Sequence, residues 1–137
     1  MRLLISDPTK VVVDIEVVSV RAEDESGGFG ILQGHADLLT VLTASVVAWR
    51  SPDGRMGWCA VRRGVLTVHG GKQIAIATRQ AQLGDDLNEL EHAVVARFRA
   101  EADAERVARV AATRLHTQAI RQIVRALRPG RQPESAP

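Results

Sequence analysis

An all-β sandwich or flattened barrel followed by an α-helical hairpin is the architecture the sequence predicts. Three observations carry it. Nine of the eleven glycines lie before Gly84, spaced as punctuation between short apolar runs. From Asp85 to Arg128 there is then no glycine and no proline, and Ala, Arg, Glu, Leu and Val dominate, as helix propensity favours. At Gly84 the apolar spacing changes from every second residue to about every 3.6. The expected organisation is a β-sandwich over 1–84, a two-helix domain over 85–130 and a disordered tail over 131–137.

The β elements follow in order. Residues 3–6 form a first strand, ended by Asp7-Pro8. Residues 11–21 are rich in Val and Ile, with apolar side chains on both faces, as in a strand buried on two sides or bulged. A polar turn over 23–28 precedes a short strand at 29–32, and residues 33–37 form a tight loop. Further strands are expected at 38–42, 45–49, 57–62, 64–69 and 73–78. Pro52-Asp53-Gly54 and Gly70-Gly71 supply turn chemistry between them. No helical crossover separates these strands, so the pairing should be antiparallel.

Two apolar stripes follow. Leu87, Leu90, Val94 and Phe98 give the first helix its face, with Asp85-Asp86 suited to its N-cap. Val107, Val110, Ile120, Ile123, Val124 and Leu127 give the second, interrupted by Arg114. One continuous helix would reach about 65 Å. No breaker lies between the stripes, so local sequence leaves hairpin and continuous helix open. The hairpin is favoured because each stripe needs cover, and Asp103 is placed to cap a second helix.

Composition narrows the function. The net charge of +2 does not by itself imply nucleic acid. The single Cys59 excludes an internal disulfide, fits a reducing compartment and reads as a small buried hydrophobe. No apolar run is long enough for a transmembrane helix or a signal peptide. The four histidines lack metal spacing, so no metal site is expected. Ser45, His35 and Asp37 match a triad only by residue type, without a nucleophile elbow. Gly70-Gly71-Lys72 resembles the end of a phosphate loop, but Gln73 follows and Leu66 stands where the first glycine belongs. No catalytic constellation and no cofactor site emerge.

The charge of the helical region is sorted. Residues 85–105 hold seven acids and two arginines, whereas 106–131 hold seven arginines and no acid. Arg114, Arg121, Arg125 and Arg128 share one side of a helix. Three readings compete: loose pairing with the acidic helix, phosphate-backbone binding, and docking to an acidic protein surface. No aromatic residue interleaves the arginines to support the nucleic-acid reading.

The stretch Phe29-Gly30-Ile31-Leu32-Gln33-Gly34-His35-Ala36-Asp37-Leu38-Leu39-Thr40 resembles the ε subunit of F-type ATP synthases. That family's recurring pattern is Gly-(Ile/Val)-(Leu/Tyr)-Pro-Gly-His-Ala-Pro-Leu-Leu-Thr. The opening Leu3-Leu4-Ile5-Ser6-Asp7-Pro8-Thr9-Lys10-Val11-Val12 and the later Arg63-Gly64-Val65-Leu66-Thr67-Val68 are similar to its strands. The resemblance implies a non-catalytic rotor subunit, peripheral to the cytoplasmic face of the bacterial inner membrane. Its sandwich would contact the γ subunit and the ring of c subunits through Glu25, Gly28, Phe29, Gln33, Gly34, His35 and Asp37. Its helices would fold on the sandwich or extend along γ. There Arg114, Arg121, Arg125 and Arg128 would meet an acidic segment of a β subunit in the α/β catalytic head and brake ATP hydrolysis.

The departures matter. Gln33 and Asp37 replace the two family prolines, and Gly28 stands where many members carry an acid, with Glu25 nearby. These variations are similar to those of divergent, alternate F-type ATPases, some of which move sodium, although the ion is chosen in the c ring. Some members bind ATP through (Ile/Leu)-Asp-x-x-Arg-Ala; here Leu87-Asn88-Glu89-Leu90-Glu91-His92 lacks both aspartate and arginine, so no tight ATP binding is expected. The alternatives to a regulatory rotor subunit are a purely structural stalk subunit and, least supported, a basic helical module for nucleic acid.

Overall fold

A computed structural model describes residues 1–127 of the chain. Ten strands come first: β1 (Arg2–Ser6), β2 (Val11–Glu16), β3 (Ser19–Asp24), β4 (Gly27–Leu32), β5 (Leu38–Leu42), β6 (Ser45–Arg50), β7 (Met56–Val61), β8 (Gly64–His69), β9 (Gln73–Thr78) and β10 (Ala81–Gly84). Hydrogen bonding runs β10-β7-β6-β3-β5-β8-β9-β1-β2, with β4 on the other side of β3. The ribbon folds into two layers, β10-β7-β6-β3-β4 against β5-β8-β9-β1-β2, joined where Asp24 of β3 pairs with Leu42 of β5. The terminal strands β2 and β10 approach each other, which nearly closes the barrel.

Between the layers lies an aliphatic core that includes Leu3, Ile5, Val20, Ile31, Leu42, Val47, Leu66, Ile74 and Ile76. The alternation of apolar residues along most strands directs one face inward, as the period of two requires. Cys59 belongs to this core, and burial pushes its thiol up to about 11, so it stays a neutral small hydrophobe.

Three sequence expectations are corrected here. The run 11–21 is two strands: β2 pairs with β1 in one layer and β3 with β6 in the other. Valines on both faces reflect a chain that changes layer at Val17 and Val18, where Val17 is buried and Val18 exposed. The polar turn over 23–28 shrinks to Glu25-Ser26, because the Asp24 carboxylate accepts the Ser26 backbone N–H at 2.9 Å and lets both strands extend to its edge. One pair, β1 with β9, is parallel. The two strands lie far apart in sequence, so no hairpin dictates their direction.

After β10 come a first helical turn α1 (Leu87–Glu89), a π-helical segment π1 (Leu90–Val95) and α2 (Ala96–Leu127). Asp86 caps the start, its carboxylate accepting from the N–H groups of Asn88 at 2.9 Å and Glu89 at 3.4 Å. Leu90, Val94, Val95 and Phe98 are buried against Ala44, Val46, Trp58 and Ala60, on the outer face of β6 and β7. On a regular helix the adjacent Val94 and Val95 lie about 100° apart. The wider turn of the π segment brings both onto the sheet together with Leu90 and Phe98.

Among the described residues there is no hairpin turn at the predicted place, since α2 runs unbroken through Asp103. Residues 99–106 offer no glycine or proline to stop it. The Asp103 carboxylate accepts from the Arg106 guanidinium at 2.5 Å, an i,i+3 pair that supports a helix interior instead of capping a new start. By compactness the chain divides into Met1–Ala100 and Glu101 onward, so the first unit includes the helical residues packed on the sandwich.

Candidate functional site

Of the residues singled out on the sandwich, Gln33, Gly34, His35 and Asp37 come together at one end of β4. His35 N–H donates to Leu32 C=O at 3.1 Å, closing a turn, and its ring Nδ1 lies 2.7 Å from Ala36 O. The loop is bound to the β8–β9 turn. Gly34 N–H donates to Gly71 C=O at 2.9 Å, and the Asp37 carboxylate accepts Gly70 N–H at 2.9 Å. His69 Nδ1 stands 3.8 Å from Asp37 Oδ2. The backbones approach so closely that a Cβ on Gly71 would lie 2.7 Å from Gly34 Cα, and Gly71 has φ of +67°. Asp37, which replaces a proline of the ε pattern, thus holds by hydrogen bonding a loop that proline would stiffen covalently.

Glu25 is not part of this cluster. It lies beyond the far end of β4, about 20 Å along a six-residue strand. There Asp24, Glu25, Ser26, Thr40, Val41 and Arg63 line an open cleft of about 450 Å³. Asp24 is its fixed point. It accepts from the Ser26 N–H and hydroxyl and from Thr40 Oγ1 at 2.8 Å, and these bonds hold its carboxyl below the usual range. Gly28 and Phe29 sit on β4 between the two ends, Gly28 exposed and Phe29 half-buried against the core. Sequence reasoning missed Gly70 and Gly71 as partners of the loop; their chemistry was legible as a turn, but not what the turn touches.

The second group lies on α2. At about 100° per residue, Arg114, Arg121 and Arg125 fall within about 40° of one another. All three are exposed, as is every residue from Asp103 to Leu127. Arg128 lies outside the described residues. Arg106 and Arg114 flank Val107, Val110 and Ala111. The arginine side therefore coincides with the first apolar positions, whereas Ile120, Ile123, Val124 and Leu127 face more than a third of a turn away, about 130° on average. No described helix is long and apolar enough to cross a membrane.

Residues 1–84 match the model for the β-sandwich domain of the ATP synthase delta/epsilon chain. The chain belongs to the ATP synthase ε family. It is 48% identical to ATP synthase epsilon chain 2 of Paraburkholderia xenovorans over 96% of this chain and 95% of that one. It is 44% identical to epsilon chain 2 of Cereibacter sphaeroides, covering 93% and 88% of the two. The likeness to these ε chains therefore includes the helical region as well as the sandwich. Among solved structures, a chain of the Euglena gracilis mitochondrial ATP synthase superposes with a TM-score of 0.59 at 21% identity, covering 74% of this chain and 62% of that one. A chain of the Tetrahymena thermophila mitochondrial ATP synthase, central stalk and c-ring, gives 0.52 at 16%, covering 60% and 65%. At such identities these two speak for the fold.

Proposed function

We propose that this ε-family chain is a non-catalytic rotor subunit of a bacterial ATP synthase, peripheral to the cytoplasmic face of the inner membrane, coupling rotation of the c ring to the γ subunit and the catalytic head. The observation that carries the reading is the near full-length likeness to ε chains, sandwich and helix together. The sandwich would meet γ and the c ring through the loop of Gln33, Gly34, His35 and Asp37 and through the β4 hairpin with Glu25, Gly28 and Phe29. The bonds from Gly34 and Asp37 to the β8–β9 turn favour this, since a braced loop transmits torque better than a mobile one.

The helix would act as a brake on ATP hydrolysis. The exposed arginines Arg114, Arg121 and Arg125, with Arg128 beyond the described residues, present guanidinium groups suited to carboxylates of a β subunit. Replacing all four by alanine should raise ATP hydrolysis of the assembled enzyme several-fold with the subunit still bound. Unchanged hydrolysis would leave coupling as the only role. A structural role without regulation is the second reading, favoured by the packing of Leu90, Val94, Val95 and Phe98 on the sandwich.

Tight ATP binding is not part of the proposal. Glu89 and Glu91 are exposed at the helix start where some family members hold the nucleotide, and two carboxylates there repel phosphate. A saturable shift of amide NMR signals in 85–95 with millimolar ATP would overturn this.

A further inference from the structure

The strand β4 is paired along one side only. Its register with β3 runs from Asp24 opposite Gly27 to Ser19 opposite Leu32 without a bulge, and no strand among the described residues bonds its other side. In an antiparallel ladder alternate residues turn their N–H and C=O groups toward opposite neighbours. Half of the β4 peptide groups therefore face away from β3. The devices that blunt a sheet edge are missing: Gly27–Leu32 contains no charged residue and no proline.

The outward side of this edge has a particular chemistry. Gly28, Gly30 and Leu32 are exposed, Leu32 by 64%. A Cβ on Gly28 or Gly30 would come no closer than 3.9 Å to any neighbouring atom, the carbonyl oxygens of Ala22 and Val20, so the glycines leave an open trough. Across the strand pair, Arg21 stands opposite Gly30 and Glu23 opposite Gly28, with Glu25 at the turn. All three are exposed and none makes an ion pair among the described residues.

We propose that the free edge of β4 is a strand-addition site: an extended segment of a neighbouring stalk subunit pairs with Gly27–Leu32, placing an aromatic ring over Gly30 and a basic side chain beside Glu23 and Glu25. The proposal deepens the stalk reading above and rests on it. Backbone groups supply the pairing and the side chains supply the choice of partner. An aromatic ring on the added strand covers an edge glycine and brings its face to the Arg21 guanidinium. The acidic turn selects a cation at that end of the segment. A second copy of the chain fits less well: pairing β4 with β4 sets glycine against glycine or Leu32, fills no trough and offers Glu23 and Glu25 no cation.

Amide hydrogen exchange of the full chain, free and within the purified ATP synthase, tests the idea. Exchange of 27–32 should slow by about tenfold or more on assembly, since pairing closes the edge. A Gly30→Lys variant puts a charge in the trough with room for its Cβ. It should keep the melting temperature of the free chain and lose at least about tenfold in retention by the enzyme. Gly28→Lys gives a second variant of the same design. Retention of the wild-type chain with unchanged exchange at 27–32 would overturn strand addition and leave the stalk reading standing. Absence of the chain from the purified enzyme would remove both. A dimer of the free chain in sedimentation that Gly30→Lys dissociates would assign the edge to a second copy and overturn the proposal.

Discussion

Asp24 ties together the corner where the two layers meet. Its carboxylate gathers Ser26 and Thr40, and these hydrogen bonds keep it ionised to a lower pH than in the unfolded chain, where an aspartate titrates near about 3.9. The stability it contributes is complete above the unfolded value and disappears as pH falls through the depressed folded one. Asp24→Asn keeps the shape and removes the charge. The urea midpoints of wild type and variant should therefore differ at pH 7 and converge as the pH falls through the depressed folded pKa. A gap that persists in acid would assign the effect to shape. Asp7 and Asp14, held down by Thr9 and Arg2, belong to the same acid limb. Gly71 is the other residue with little freedom. Its φ of +67° and the 2.7 Å approach of Gly34 Cα leave no room for a methyl group. Gly71→Ala should cost about 2 kcal/mol in urea unfolding and loosen the loop 33–37, through strain and overpacking together. Neither the Asp24–Thr40 bond nor the approach of Gly71 to Gly34 can be read from the sequence, because each joins segments that only the sandwich brings together.

The helical elements divide into a stretch held by packing and a stretch held by its own backbone. Phe98 is fully buried and Leu90, Val94 and Val95 nearly so. Phe98→Ala should lower the stability of the chain by about 3–5 kcal/mol. Asp86→Ala should cost about 1 kcal/mol, the worth of a typical N-cap. Thermal or urea unfolding followed by circular dichroism would measure both. Of the four apolar residues predicted for this face, Leu90, Val94 and Phe98 pack as expected and Leu87 stays 37% exposed. Val95 was not foreseen, because on a regular helix it lies at the margin of the Leu90, Val94 and Phe98 stripe, and the π segment turns it further onto the sheet. Most strands were legible because alternation and glycine turns are local signals. β10 was not, since Ala81–Gly84 carries a single large apolar residue, Leu83, and owes its pairing to β7. The missing hairpin turn has the same origin. Two stripes call for two covers, but a helix breaks only where the chain offers a breaker, and residues 99–106 offer none.

At the scale of the molecule, the family match ends at Gly84 while the compact first unit continues to Ala100. The two limits make different demands on a shortened chain. Ending at Gly84 removes Leu90, Val94, Val95 and Phe98 and bares Ala44, Val46, Trp58 and Ala60, which form one apolar surface on β6 and β7. Each large side chain returned to water forfeits about 1.5–3 kcal/mol, offset in part by the conformational freedom the helix regains. The net loss should be about 3 kcal/mol or more, with self-association through the bared patch. Ending at Ala100 keeps every one of those contacts and removes a helix exposed from Asp103 to Leu127. That shorter chain should unfold at the same urea concentration as the full one, within about 0.5 kcal/mol. It should also separate the two proposed roles, binding the assembled enzyme through the sandwich while ATP hydrolysis rises for want of the arginines. Equal destabilisation by both truncations would mean that the residues after Ala100 hold the sandwich together. Normal hydrolysis with the Ala100 truncation bound would mean that the arginine side of α2 is not a brake.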